Sequence, residues 1–197
     1  MAAELIVPAI EKLGDFMDTE ENKNSFMGKI RENAIANPMA DALVSDNRRI
    51  TYKELFQLVL QGVSTLEECN IGEESFVGLS VEDQMTHLII SLSLLALGAK
   101  QITLASHDTQ YTRIKLAKFV GVTEVITLDS KYQLEGMELV IISTEMFLKQ
   151  KVEKKYGCRE REIASQDKQI YFRTSGTTGG VCVVGYSQYQ LSLQAPR

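Results

Sequence analysis

Gln169-Ile170-Tyr171-Phe172-Arg173-Thr174-Ser175-Gly176-Thr177-Thr178-Gly179-Gly180 is the stretch on which the reading of this chain turns. Its opening residues are β-prone, and the hydroxyl residues and glycines behind them describe a strand that runs into a loop with its amides free. Glycine lets a backbone turn and come close to a ligand. Successive N–H groups in such a turn form an anion-binding concavity, and Ser and Thr hydroxyls add donors that carry no fixed charge. The loop is therefore a candidate triphosphate or pyrophosphate site. No lysine stands where a P-loop has its Lys-Ser/Thr pair and no Gly-x-Gly-x-x-Gly occurs in the chain, so neither familiar phosphate loop explains it.

Upstream, hydrophobic periodicity predicts helices alternating with strands. Phe26, Ile30 and Ala34 recur at helical spacing within 24–36, and the helix must stop before Pro38 because the residue ahead of a proline resists the α region. Ala42–Ser45 and Arg49–Thr51 flank the turn-forming pair Asp46-Asn47, a short hairpin. Thr51 and Glu54 form a capping-box pattern that opens a helix with Leu55, Leu58, Val59, Gly62, Val63 and Leu66 on one face. After the stop at Asn70-Ile71-Gly72, strands are predicted over 76–81, 101–105, 124–128 and 139–142, with helices over 83–97, 111–119 and 144–154. That order is βαβαβ with a further strand, a mostly parallel, doubly wound α/β sheet flanked by helices. Crossovers of this kind place the loops leaving the strands along one edge, where open α/β sheets bind ligands.

Composition narrows the function classes. At 197 residues and 44% hydrophobic content the chain can bury a substantial core, and one domain is the expected organisation. A net charge of −5 and the lack of a basic stripe interleaved with aromatics argue against nucleic acid as a partner. The mixed-sign run Lys149–Arg161 reads as a solvated helix and loop. The N-terminus turns acidic at once and carries no secretory pattern. Leu88–Leu97, the most apolar run, is at roughly ten residues too short to span a bilayer, so no membrane partner is expected. Three widely spaced cysteines, Cys69, Cys158 and Cys182, form no Cys-x-x-Cys, which predicts a reduced, cytoplasmic setting without a zinc or redox centre.

Isolated polar residues receive modest readings. His87 falls inside a helix and reads as a packed or surface imidazole. His107 and Asp108 follow a strand and so lie on the ligand-binding edge, as loop caps or as a polar binding element. Cys182, between valines, reads as strand filling.

The run Thr174–Gly179 resembles the signature loop Thr-Ser-Gly-Ser/Thr-Thr-Gly-x-Pro-Lys-Gly of the adenylate-forming superfamily, which holds the acyl- and aryl-CoA synthetases, the luciferases and the adenylation domains of peptide synthetases. Ile50-Thr51-Tyr52-Lys53-Glu54-Leu55 resembles the family's Leu/Ile-Thr-Tyr-x-Glu-Leu segment. Leu94-Leu95-Ala96-Leu97-Gly98-Ala99-Lys100, before a strand, resembles the next, a helix ending in Gly-Ala. Arg113 stands where members have Pro-x-x-Arg, with Gln110 at the proline position. The chain departs from the pattern at Val181, Cys182 and Val183, in place of Pro-Lys-Gly, and at Ser187-Gln188, in place of Ser/Thr-His. Arg173 is also atypical; it either supplies replacement charge or points to solvent from a strand edge.

The resemblance implies ATP and Mg²⁺ as cofactors and a carboxylic acid as substrate, joined as an acyl-adenylate. Thr174, Ser175, Gly176, Thr177, Thr178 and Gly179 would hold the β- and γ-phosphates, with Thr174 near the metal, and no catalytic residue is assigned. The matched segments fall in the first part of a family member. The expected organisation is an N-terminal extension over 1–23, an α/β core over 24–167, and a strand, phosphate loop, strand and helix start over 168–191, with the family's later domains absent. Such a chain is not expected to be a complete catalyst alone. The rival reading is a binding or interaction module that keeps the fold without the catalysis, either as a homodimer or completed by a C-terminal partner. A flavodoxin-like nucleotide or flavin binder would share the sheet but none of the family segments.

Overall fold

The computed structural model describes residues 25–45, 48–142, 167–175 and 181–194. The first element, α1 (Phe26–Ala36), starts where the Ser25 side chain accepts the Gly28 amide at 2.9 Å and ends two residues short of Pro38. A hairpin follows, β1 (Asp41–Ser45) against β2 (Arg48–Thr51), antiparallel as the turn residues predict. Helix α2 (Tyr52–Glu68) opens on the predicted capping box: the Glu54 amide donates to Thr51 Oγ1 at 3.3 Å, and the Thr51 amide donates to Glu54 Oε2 at 2.9 Å. Both end donors of the helix are thus satisfied reciprocally. The buried face of α2 takes in Phe56 and Thr65 besides Leu55, Val59, Gly62 and Leu66.

Among the described residues the main sheet holds six strands in the order β6-β5-β3-β4-β7-β8. In chain order they are β3 (Phe76–Ser80), β4 (Lys100–Thr103), β5 (Glu124–Thr127), β6 (Glu138–Ile141), β7 (Lys168–Ser175) and β8 (Val181–Ser187). All neighbours are parallel except β7 and β8, which are antiparallel. Helix α3 (Gln84–Leu97) joins β3 to β4 and α4 (Gln110–Val120) joins β4 to β5; each ends on a glycine in the left-handed region, Gly98 and Gly121, where a side chain would be strained. A short helix, α5 (Gln188–Gln194), follows β8. The expected α/β sheet, mostly parallel and flanked by helices, is what the chain forms. The predicted helix over 144–154, the Lys149–Arg161 run, Cys158 and the extension over 1–23 lie outside the described residues.

Side chains alternate between two layers. Val77, Leu79 and Ile126 join Leu55, Val59, Ile90 and Leu94 in one buried cluster, while Phe76 and Val125 belong with Leu104, Leu116 and Val122 in another. Successive strand residues point to opposite faces. Helices α1, α2 and α3 therefore cover one face and α4 the other, which leaves the loops at the carboxyl ends of the strands along one rim. No helix among the described residues is long and apolar enough to cross a membrane.

Candidate functional site at the carboxyl edge

From β3 the chain passes through α3 to β4 on one side, and from β4 it passes back through α4 to β5 on the other side of β3. Since β5 then leads on to β6, the connection that leaves β3 and the one that leaves β5 diverge and open a crevice beyond the carboxyl ends of β3 and β5, the place where open α/β sheets bind ligands. Because β7 lies beside β4 and runs parallel to it, Gln101 opposite Ile170 and Ile102 opposite Tyr171, its carboxyl end reaches the same rim. Thr174 and Ser175 are the last residues of β7. Gly176, Thr177, Thr178 and Gly179, the remaining residues of the predicted phosphate loop, lie outside the described residues.

Thr174 is exposed and its hydroxyl donates to the Cys182 carbonyl at 3.4 Å, across the ladder pair that joins them. Cys182 is itself exposed. The strand-filling reading is thereby corrected: alternation along β8 turns Val183 into the cluster with Tyr171 and leaves Cys182 outward. A lysine at this position would meet no buried wall.

Arg173 neither points freely to solvent nor stands alone. Its Nη1 donates to Asp108 Oδ2 at 2.7 Å and its Nη2 to Asp108 Oδ1 at 3.3 Å, a two-pronged pair between β7 and the loop that leaves β4. Of the two predicted edge residues, Asp108 is thus drawn into the site and His107 is left exposed in the turn. Each was visible in the sequence as an edge residue, but a partnership across 65 positions has no local signal.

Beneath the rim, Arg113 of α4 is buried and donates through Nη1 to Ser80 Oγ at 3.3 Å, while Ser80 donates to the Leu104 carbonyl at 3.2 Å. This chain ties α4 to the carboxyl ends of β3 and β4 beside the crevice. On the other face, Thr103 and His87 Nε2 are 3.2 Å apart. Burial holds the His87 imidazole below its ordinary pKa, opposed by a hydrogen bond to the Val81 backbone. The imidazole is therefore neutral and packed, as expected, with its Nδ1 proton assigned to the Val81 carbonyl and Nε2 left to accept from Thr103. Asp83 caps α3 through the Thr86 amide at 2.7 Å, and hydrogen bonding from Thr86 holds its carboxyl low.

Ser187-Gln188 has a structural use. Ser187 caps α5, accepting the Gln190 amide at 3.2 Å, and buried Gln188 donates to the Leu95 carbonyl at 2.9 Å and accepts the Met27 amide at 3.4 Å. No group of three or more His, Cys, Asp or Glu suited to a metal ion occurs among the described residues. Mg²⁺ keeps several waters and takes one or two protein ligands when substrate phosphates supply the rest, so a rim with the Thr174 hydroxyl suits it only alongside a polyphosphate.

A family model described as AMP-binding enzyme matches residues 30–182. A nonribosomal peptide synthetase, nlsA, of Emericella nidulans is 37% identical over 81 residues, covering 41% of this chain and 1% of that protein. Among solved structures, the N-terminal subdomain of NpsA from Klebsiella oxytoca superposes with a TM-score of 0.73 at 20% identity over 83% of this chain and 42% of that one. The nonribosomal peptide synthetase FmoA3, in its AMPPNP-bound form, gives 0.65 at 18% identity over 85% of this chain and 18% of that one. The chain thus spans less than half the length of each of these proteins.

Proposed function

Since the chain belongs to the AMP-binding enzyme family, we propose that it is the N-terminal portion of an ATP-dependent, carboxylate-activating ligase of the adenylation-domain kind. The observation that carries this reading is the place of β7. It stands beside β4, runs parallel to it and carries Thr174 and Ser175, its last residues, to the carboxyl edge of the sheet, which supports a phosphate site there. In that reaction a carboxylate oxygen attacks the α-phosphorus of ATP, the O–P bond forms as the bond to the β-phosphate bridge breaks, and pyrophosphate leaves. The charge accumulates on phosphate oxygens, so catalysis rests on positioned donors and cations. Here the loop hydroxyls and amides would hold the β- and γ-phosphates, and the Thr174 hydroxyl would serve a Mg²⁺ ion, whose chemistry there would be to neutralise phosphate charge. Arg113 and Ser80 keep the floor of the crevice rigid.

One observation favours the interaction-module reading instead. The edge strand β8, Val181–Ser187, carries no charged residue and no proline, and such an edge is open to pairing with another strand. Titration of Mg·ATP and of pyrophosphate into the purified chain separates the readings. Binding that Thr177→Ala abolishes and Cys182→Lys strengthens supports the ligase portion. Binding by no variant, with a dimer in light scattering, supports the module. Neither reading predicts acid-dependent pyrophosphate exchange by this chain alone, and such turnover would sink both.

A further inference from the structure

We propose that Arg173 is the cation met by the polyphosphate at the carboxyl edge, and that Asp108 aims and masks it until the anion arrives. This rests on the phosphate-loop reading above. Arg173 immediately precedes Thr174 on the strand that enters the loop. Its guanidinium has five N–H donors, of which the contacts with Asp108 use one on each terminal nitrogen. The Arg173 side chain is 38% exposed and that of Asp108 16%, so the guanidinium is the member of the pair that an incoming ligand reaches.

The surrounding charges make this cation matter. Glu82 and Asp83 follow β3, with Arg48 near enough to help hold the Asp83 carboxyl low, Asp108 follows β4 and Asp129 follows β5, where Lys131 is bound to it at 3.2 Å. A polyanion approaching such a rim meets repulsion unless a positive group faces it. A two-pronged pair is the geometry in which a partly exposed ion pair can also brace a fold, so a ligand role is separated from a brace by comparing binding with melting temperature. A guanidinium matches phosphate oxygens in the same bidentate way it matches a carboxylate. Phosphate can therefore take the outward N–H groups while Asp108 keeps the inner ones.

The test is calorimetric titration of inorganic pyrophosphate, then Mg·ATP, into the chain and its Arg173→Gln, Arg173→Lys and Asp108→Asn variants, with a melting temperature for each. Loss of a charge-assisted bidentate contact should weaken binding about tenfold in Arg173→Gln. Arg173→Lys should fall between, and Asp108→Asn should bind as well as the parent or a few-fold better, because the competing carboxylate is gone. Equal weakening by Asp108→Asn and Arg173→Gln, matched by equal falls in melting temperature, would make the pair a brace and overturn the proposal. Parent-like binding by Arg173→Gln would overturn it while leaving the phosphate loop intact. No binding by the parent protein would remove the phosphate-loop reading and this inference together.

Discussion

At the scale of single residues the site is set by hydrogen bonds that fix protonation as well as position. His87 is the sharpest case. Its imidazole is partly buried and held below its ordinary value of 6.5 by desolvation, so the unfolded chain binds a proton in a range where the native protein does not. Stability is then full above 6.5 and falls as the pH drops from there toward the lowered native value. Urea midpoints at about pH 7.5 and pH 5.5 should differ in the parent protein and differ less in His87→Gln, which keeps a polar group near Thr103 but cannot titrate. An unchanged difference would place the pH dependence elsewhere. The window lies above that of Asp83, whose lowered carboxyl acts only at more acidic pH. Cys182 shows where residue-level reading errs: valine neighbours suggested filling, but alternation in a two-stranded edge puts every second residue outside.

At the scale of elements, the local signals were legible and the long-range ones were not. The Thr51–Glu54 capping box announces the start of α2 within four positions of sequence, whereas Ser25 and Asp83, read as helical, stand as caps just ahead of α1 and α3. The hairpin at 41–51 and the strands β3 to β6 follow equally local patterns. The insertion of β7 beside β4, rather than beyond β6, has no such signature, and neither has the Arg173–Asp108 pair. The phosphate loop was legible only as composition and resemblance; Thr174 and Ser175 are placed at the rim, and the four residues that follow lie outside the described ones. Gln188 illustrates what the elements need from each other. It satisfies a carbonyl at the end of α3 and an amide at the start of α1 from a buried position on α5. Gln188→Leu should cost about 1–3 kcal/mol in chemical denaturation, because the Met27 amide loses its partner without gaining water and the Leu95 carbonyl keeps only the Gly98 amide. A loss near zero would mean that the Met27 amide finds water.

At the scale of the molecule, the last described helix closes on the first. Beyond the Gln188 contacts, Lys29 Nζ donates to the Ser192 carbonyl at 2.8 Å, and Leu191 packs on the cluster that holds Met27, Ile30 and Ala34. Helix α5 has only seven residues, too few to be stable by its own hydrogen bonds, so its order comes from this packing. The dependence runs both ways, since α1 is amphipathic only weakly and leans on α2 and α5 for cover. Stability within a fold is not uniform, and an edge layer can open while the central strands stay closed. Deletion of residues 188–197 should therefore speed amide hydrogen exchange across α1, Phe26–Ala36, while β3 and β5, buried between the two layers, keep their protection. The same deletion leaves β7 and the Arg173–Asp108 pair in place, so pyrophosphate affinity should hold within a few-fold even as α1 loosens. Equal acceleration throughout the sheet would show that α1 and α5 belong to one cooperative unit with the crevice, and that the first helix contributes to the rim it does not touch.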